Sequence, residues 1–194
     1  MEILFSDRDL AVCVKSVGLD SEMEVPKALQ AQLGGGVYPL HRLDKNVGGV
    51  MVYARTKAAA AVLSKAIQNG DMVKEYVAKV HGNPPESGDW TDLLFKDSRK
   101  NKVFVVKKAR SGVKEARLCF RHLGESLVHV RLFTGRSHQI RVQFSSRGFP
   151  LVGDHKYGSR AAEAAPMLFS CRLSFPWKGE TLTFQALPPW AKET

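Results

Sequence analysis

The sequence predicts an α+β fold, in which a mostly antiparallel mixed sheet is flanked by helices. Short apolar and β-branched runs bounded by turn residues recur along the chain, three segments of helical periodicity lie among them, and no stretch has the composition of a linker. The 194 residues, 44% hydrophobic and 25% charged, suffice for one core without disulfides or metals. We therefore expect a single domain over residues 1–194.

The first half of the chain is predicted to combine strands with two helices. Helical spacing over Val25–Leu33 ends at a glycine triplet that begins with Gly34. Thr56 is a suitable N-cap for a second helix over Lys57–Gln68. The strands of this half are predicted at Glu2–Phe5, Asp9–Lys15, Gly49–Ala54 and Val73–Val80.

The second half is predicted to be richer in strands. Two consecutive prolines at Pro84 and Pro85 favour an extended loop. A third helix is expected over His138–Arg147, with Thr134 or Ser137 as its N-cap. The strands are predicted at Val103–Lys108, Val113–Phe120, Leu127–Phe133, Met167–Phe175 and Glu180–Ala186.

The chain is basic, with 29 Lys and Arg residues against 19 acidic residues and a formal net charge of +10. An excess of this size favours a polyanionic partner such as nucleic acid. The charge is concentrated in Lys96–Lys114, the basic segment, which we predict to be a hairpin that grips phosphates; a merely solvated hairpin is the alternative. Its phosphate contacts are predicted at Lys100, Lys102, Lys107 and Lys108.

Several classes of protein are disfavoured. The six histidines and three cysteines form neither a C-x-x-C nor an H-E-x-x-H pattern, so no metal site is expected. Nucleotide and dinucleotide phosphate loops and a G-x-S-x-G elbow are missing, and we expect no cofactor. No helix-turn-helix pattern supports a generic DNA-binding protein. The N-terminal residues lack signal-peptide features and no apolar run is long enough to span a bilayer, so a cytoplasmic protein is expected.

Two polar clusters remain as candidates for chemistry. The first is His41-Arg42-Leu43-Asp44, which taken alone is compatible with a surface turn containing an incidental ion pair. The second runs from Thr134 to Arg141 and places Arg136, His138 and Arg141 at a strand-to-helix junction. Cations at a helix N-terminus oppose the helix dipole, so this cluster predicts that an anionic group is held there.

One hypothesis explains both clusters. A carboxylate in a desolvated pocket has a raised pKa and loses nucleophilicity at neutral pH, unless a cation keeps it ionised and oriented. Asp44 and Arg141 are candidates for such a pair, which their separation in the sequence neither supports nor excludes.

The order and spacing of the motifs resemble the RluA-type branch of the pseudouridine synthases over nearly the whole chain. The segments that carry the resemblance are His41-Arg42-Leu43-Asp44, Lys74-Glu75-Tyr76, Thr134-Gly135-Arg136-Ser137-His138-Gln139-Ile140-Arg141, and Pro150-Leu151-Val152-Gly153-Asp154 with Tyr157-Gly158. Each is weak alone, but four in register form a specific signal.

The resemblance implies roles for individual residues. Asp44 corresponds to the nucleophile or charge partner at the ribose C1′ of a target uridine, Arg141 to its cationic partner, and Tyr76 to a ring against the uracil, with a role as general base left open. RNA contacts are expected at His41, Arg42, Arg136, His138 and Gln139. The implied reaction breaks the N1–C1′ bond, rotates the uracil and rejoins it through C5, by direct attack at C1′ or by a glycal route.

The implied substrate is a uridine of structured RNA, either tRNA or rRNA, flipped out of its stack. Because Asp44 arrives so early in the chain, we expect no S4 domain, and we expect a monomer without an obligate protein partner. Val47-Gly48-Gly49 replaces the Thr-Ser-Gly run of the family, which removes two hydroxyls that can brace the loop. A catalytically weak relative that acts as an RNA-binding or RNA-folding factor is therefore the alternative function.

Overall fold

The computed structural model describes residues 1–191, so residues 192–194 of the predicted domain lie outside the described part. The described chain divides into two compact units. Unit 1 comprises Met1–Lys74 and the residues from Phe169 onward, and unit 2 comprises Glu75–Leu168.

Unit 1 is a mixed sheet with helices. Its strands are β1 (Glu2–Ser6), β2 (Leu10–Lys15), β3 (Tyr38–Pro39), β4 (Gly48–Ala54), β10 (Leu168–Trp177, from Phe169) and β11 (Glu180–Gln185). They follow the order β1-β2-β4-β10, with β3 paired to β4 and β11 to β10. The β4–β10 pair is parallel and the other pairs are antiparallel.

The core of unit 1 is built around β4, every residue of which is buried. Helix α1 spans Glu24–Leu33 and helix α2 spans Lys57–Asn69. The predicted cap of α2 is confirmed, since the Thr56 hydroxyl accepts a hydrogen bond of 3.2 Å from the Ala59 amide. Helix α2 buries Leu63 beside the strand residues Val52 and Leu173.

Unit 2 is an antiparallel sheet with a short helix. Its strands are β5 (Val73–Lys79, from Glu75), β6 (Ser87–Asp97), β7 (Lys102–Val106), β8 (Val113–Gly124) and β9 (Leu127–Leu132), in the order β5-β9-β8-β6-β7. Helix α3 spans Gln139–Ser145, and one 3₁₀ turn spans His155–Tyr157. Phe144 of α3 packs its ring at 4.8 Å from that of Trp90 on β6.

The α+β class and the mostly antiparallel mixed sheet are confirmed, with the parallel pair in unit 1, but some predicted elements change. Strand β6 was not predicted; it lies between β7 and β8, so those two strands are not neighbours. Helix α3 is shorter than predicted, and the predicted N-cap of Thr134 or Ser137 is wrong, since the N-cap position is taken by His138, which is left-handed with φ of 51° and makes no side-chain cap bond. No helix within residues 1–191 has both the length and the apolar character needed to cross a bilayer.

Candidate functional site

Asp44 lies half-buried in a loop of unit 1 that begins after β3 and ends at β4. The preceding Leu43 is buried, and the Ser21 hydroxyl both donates to the Leu43 carbonyl (3.1 Å) and accepts from its amide (3.3 Å). The Val47 amide donates to the Asp44 carbonyl at 2.9 Å. The backbone on both sides of the carboxylate is therefore fixed by hydrogen bonds.

A buried lysine adds a second brace to this loop. Lys15, at the end of β2, is 1% exposed, and its ammonium donates to the carbonyls of Ser16, Leu19 and Lys45 at 3.1, 2.9 and 3.2 Å. Burial lowers the pKa of Lys15 to about 8, although the charge of Asp44 opposes this shift. Lys15 thus ties the backbone beside Asp44 to the end of β2.

The segment that replaces the family's two hydroxyl residues is tightly packed. Val47 is 2% exposed, and Gly48 is buried. Gly49 has φ of +132°, and a Cβ built there would lie 2.5 Å from the Ser170 amide nitrogen and closer still to the Ser170 carbonyl oxygen. Only glycine permits this approach of β4 to β10. The loop is therefore braced by Ser21, Lys15 and close packing.

The two residues that begin the first motif have different environments. His41 is half-buried, and its Nε2 accepts a hydrogen bond of 3.2 Å from the Val52 amide on β4. Burial and the charge of Lys74 lower the pKa of His41 to about 3, so its ring is neutral at physiological pH. Arg42 is exposed and forms an ion pair of 3.3 Å with Glu22. The predicted RNA contacts of His41 and Arg42 stay predictions.

In unit 2, Arg141 forms a buried ion pair with Asp154. The Arg141 Nε lies 2.7 Å from the Asp154 Oδ2, and its Nη2 lies 2.8 Å from the Oδ1, so the pair is bidentate. The side chains are 7% and 1% exposed. Asp154 supplies an anion for Arg141, and an anionic group held between Arg136, His138 and Arg141 stays a prediction. The proposed pairing of Arg141 with Asp44 stays a prediction.

Tyr157 lies against the same arginine. Its ring centroid is 5.1 Å from the Arg141 Cζ and 5.3 Å from the Lys102 Nζ. Its hydroxyl lies 2.8 Å from His138 Nδ1 and accepts a hydrogen bond of 2.8 Å from the Val103 amide. Two predicted site residues, His138 and Arg141, thus share one aromatic neighbour.

Gln139 organises the loop before α3. Its Oε1 accepts hydrogen bonds from the Thr134 hydroxyl (2.8 Å) and the Arg136 amide (3.0 Å), and its Nε2 donates to the Arg117 carbonyl (3.1 Å). The residue is 3% exposed, so its amide serves the loop. Arg136 is exposed and donates from Nε to the Glu115 carbonyl at 2.8 Å. RNA contact by Gln139 and Arg136 stays a prediction.

The other predicted site residues fall on strands and turns of unit 2. Tyr76 is buried in the middle of β5, at 6% exposure. Lys100 lies in the turn between β6 and β7, and the basic segment does form a hairpin there, because Lys96 pairs with Val103. Lys102 is half-buried, whereas Lys100, Lys107 and Lys108 are exposed and accessible to phosphates.

Sequence reasoning assigned no role to three residues that hold predicted site residues in place, Lys15 and Ser21 in unit 1 and Asp154 in unit 2. Asp154 carried a signal, since it is an acidic residue within a matched motif. Lys15 carried a weaker one, as the charged end of an apolar strand. Ser21 carried none, because its bonds to Leu43 depend on tertiary structure.

Each unit therefore contributes a distinct chemical feature. Unit 1 holds a half-buried carboxylate on a braced loop, a suitable form for a nucleophile or an electrostatic stabiliser. Unit 2 holds a buried guanidinium whose orientation is set by a carboxylate and an aromatic ring.

Comparison with known proteins shows which family this chain resembles. A model described as RNA pseudouridylate synthase matches residues 12–146. Ribosomal large subunit pseudouridine synthase D of Neisseria meningitidis is 33% identical over 167 residues, which cover 77% of this chain and 45% of that protein. The mitochondrial tRNA pseudouridine(32) synthase of Saccharomyces cerevisiae is 30% identical over 172 residues, which cover 82% of this chain and 37% of that protein.

A solved structure supports the same assignment. The human RNA pseudouridylate synthase domain containing 1 matches with a TM-score of 0.84 and 25% identity, over 97% of this chain and 83% of that one. The chain spans less than half the length of the two curated relatives named above. The family model alone covers well over half of the chain, and the resemblance seen in the motifs is confirmed. The chain belongs to the RNA pseudouridylate synthase family, in its RluA-type branch.

Proposed function

We propose that this chain is a cofactor-free RNA pseudouridine synthase that isomerises a uridine of structured RNA, with Asp44 as the catalytic carboxylate. The observation that carries the proposal is the half-buried Asp44 on a loop held by Ser21 and Lys15, within the segment that the family model matches. A carboxylate held in this way is oriented before substrate binds, which favours attack at C1′ or stabilisation of charge there.

The proposed reaction conserves the atoms of the nucleotide. The N1–C1′ bond breaks, a C5–C1′ bond forms, the C5 proton leaves and N1 gains a proton. Arg141 and Tyr76 take the roles that the resemblance implies. Two relatives are named for rRNA and tRNA, which supports either RNA as substrate. In this proposal residues 1–194 are one catalytic domain, acting as a monomer in the cytoplasm.

The test is a map of pseudouridine. Unmodified total RNA is incubated with the protein, and new pseudouridine sites are mapped against RNA incubated without it. At least one new site is expected with the wild-type protein and none with Asp44→Asn, which keeps the shape of the side chain but removes its charge. Asp71→Asn, at an exposed carboxylate after α2, is the matched control and is expected to act like wild type. A folded wild-type protein that modifies no RNA contradicts the proposal.

The alternative function is an RNA-binding or RNA-folding factor of low catalytic activity. The hydroxyls missing at Val47 and Gly48 and the exposed lysines of the basic segment favour it. It predicts that Asp44→Asn has no phenotype in cells, whereas charge reversal at Lys100, Lys107 and Lys108 does. The proposed enzyme predicts a phenotype for both changes.

A further inference from the structure

Tyr157 is the last residue of a turn that is hydrogen-bonded to the basic segment. It ends the 3₁₀ turn His155–Tyr157 and is 6% exposed. The neighbouring Lys156 donates from Nζ to the Asn101 carbonyl at 2.9 Å, in the turn between β6 and β7. The turn therefore holds the tip of the hairpin through a residue next to the tyrosine.

The Tyr157 hydroxyl makes a second attachment to the hairpin. Strand β7 is the last in the strand order of unit 2, and the Val103 amide donates to the hydroxyl at 2.8 Å. An edge strand presents amides that have no neighbouring strand to bond, and this hydroxyl satisfies one of them. Replacement of the hydroxyl by hydrogen leaves a buried donor without its acceptor.

The same hydroxyl fixes a residue of the second motif. His138 Nδ1 lies 2.8 Å from it, and the imidazole meets the Tyr157 ring edge-on with centroids 5.6 Å apart. His138 is the left-handed residue at the start of α3, and its carbonyl accepts from the Val142 amide at 2.9 Å. The hydroxyl thus restrains the imidazole ring of His138. The backbone of His138 begins α3, the helix that carries Arg141.

The Tyr157 ring acts on Arg141 itself. The guanidinium carbon is 5.1 Å from the ring centroid, within the range of a cation–π interaction, while Asp154 binds the Nε and Nη2 edge. A bidentate carboxylate defines the edge of the guanidinium, and the aromatic ring supports its position from a second direction. Arg141 is therefore oriented by two side chains of the same segment.

We infer that Tyr157 is a positioning residue for Arg141 and His138. Because its hydroxyl also bonds to Val103 of the basic segment, the positions of Arg141 and His138 depend on that segment. The inference rests on the proposed function, in which Arg141 serves the reaction. Tyr157 lies beyond the residues that the family model matches. An arginine displaced by a fraction of an ångström from its productive position slows a reaction without abolishing substrate binding.

Two substitutions separate the ring from the hydroxyl. Tyr157→Phe keeps the ring beside Arg141 and removes the bonds to Val103 and His138, whereas Tyr157→Leu removes both. Ser145→Ala is the matched control: the Ser145 hydroxyl donates to the Tyr157 carbonyl at 2.6 Å, so its loss weakens the same turn without touching the ring or the phenol. All variants are compared at a temperature where circular dichroism shows them folded.

The readouts are kcat at saturating RNA and the Kd for that RNA. We expect kcat to fall about tenfold in Tyr157→Phe and about a hundredfold in Tyr157→Leu, with a much smaller weakening of Kd and with Ser145→Ala close to wild type. Equal kcat in Tyr157→Phe and wild type overturns the inference. A loss of RNA affinity as large as the loss of kcat, or a matching loss in Ser145→Ala, also overturns it.

A further measurement distinguishes failure of the inference from failure of the proposed function. The ¹⁵N shifts of the His138 imidazole are recorded in wild type and in Tyr157→Phe, without RNA. A change in these shifts supports the positioning role even where wild type forms no pseudouridine, which is the result that defeats the proposed function alone. Unchanged shifts overturn the inference whatever the activity.

Discussion

Arg141 and Asp154 form a bidentate ion pair in which both side chains are almost fully buried, at 7% and 1% exposure. Two charges that are removed from water compensate each other only while both are present. Arg141 belongs to the motif from Thr134 to Arg141, and Asp154 belongs to the motif that follows it. A substitution that breaks this ion pair is therefore expected to affect both the stability of the protein and the predicted site.

Asp154→Asn is expected to destabilise the protein by about 3 kcal/mol, because it leaves the Arg141 charge buried without a counter-charge. Pseudouridine formation is expected to fall as well. The free energy of unfolding is measured by urea titration. Asp89→Asn is the control, since Arg117 and Asp89 form the same bidentate bonds with both side chains 49% exposed, and a clearly smaller loss of stability is expected there. Equal losses in the two variants contradict the role of burial.

Gly49→Ala is expected to cost about 2–4 kcal/mol, from a Cβ that collides with the Ser170 backbone and from the penalty of positive φ. Gly70→Ala serves as the control, because Gly70 has φ of +82° and open space within 4 Å of an added Cβ. It carries the conformational penalty alone, about 1 kcal/mol. Thermal or urea unfolding distinguishes the two, and comparable losses contradict the predicted collision.

His41 makes stability depend on acid pH. Its pKa is about 3 in the folded protein, well below the ordinary value of 6.5, because burial disfavours the charged ring. Between these values the unfolded chain binds a proton that the folded protein does not, so stability is lost as the pH falls below about 6.5. From about pH 7 to about pH 5 the contribution of His41 to this loss is roughly 2 kcal/mol.

The measurement is the free energy of unfolding at those two pH values in wild type and in His41→Gln, which keeps a neutral acceptor for the Val52 amide. The variant is expected to lose about 2 kcal/mol less than wild type on acidification. His155→Gln is the control, since it measures how far the removal of another histidine changes the pH dependence of the free energy of unfolding. The same pH dependence in His41→Gln and wild type refutes the assignment of this stability change to His41.

Much of the fold follows from local patterns. The apolar runs of Leu10–Lys15 and Gly48–Ala54 and the cap at Thr56 were all predictable from the residues themselves. Strand β6 escaped prediction because Ser87–Asp92 contains polar and small residues that disfavour strands, and its partners β7 and β8 supply the pairing. Helical spacing alone puts Val62 on the same face of α2 as the buried Leu63 and Ala66, yet Val62 is 52% exposed.

Residues of the candidate site could be identified from sequence motifs, but their positions and contacts could not. Asp44, Tyr76 and Arg141 stand out because their residue types recur in a known order. Gln139 illustrates the limit: its motif position implied an RNA contact, and the motif gave no sign that three bonds of its amide hold the loop from Thr134 to Arg136. Only tertiary contacts show whether a side chain bonds to the backbone or faces a ligand.

The basic segment is expected to supply salt-sensitive RNA affinity through its exposed lysines. Each phosphate contact contributes about 0.7–0.9 to the slope of log K against log salt concentration. Neutralising Lys100, Lys107 and Lys108 together to Gln is therefore expected to lower that slope by about 2–3 and to weaken binding. Lys102 is left intact because it packs against Tyr157.

The matched control neutralises three exposed lysines of α1 and α2, Lys27, Lys57 and Lys65. Both triple variants change the net charge equally, so long-range attraction alone predicts equal effects on RNA binding. Direct contact by the basic segment predicts a reduced slope only for Lys100, Lys107 and Lys108, measured by fluorescence anisotropy across a salt series. Equal slopes in the two variants place the RNA affinity in the overall charge of the chain and contradict the predicted phosphate contacts.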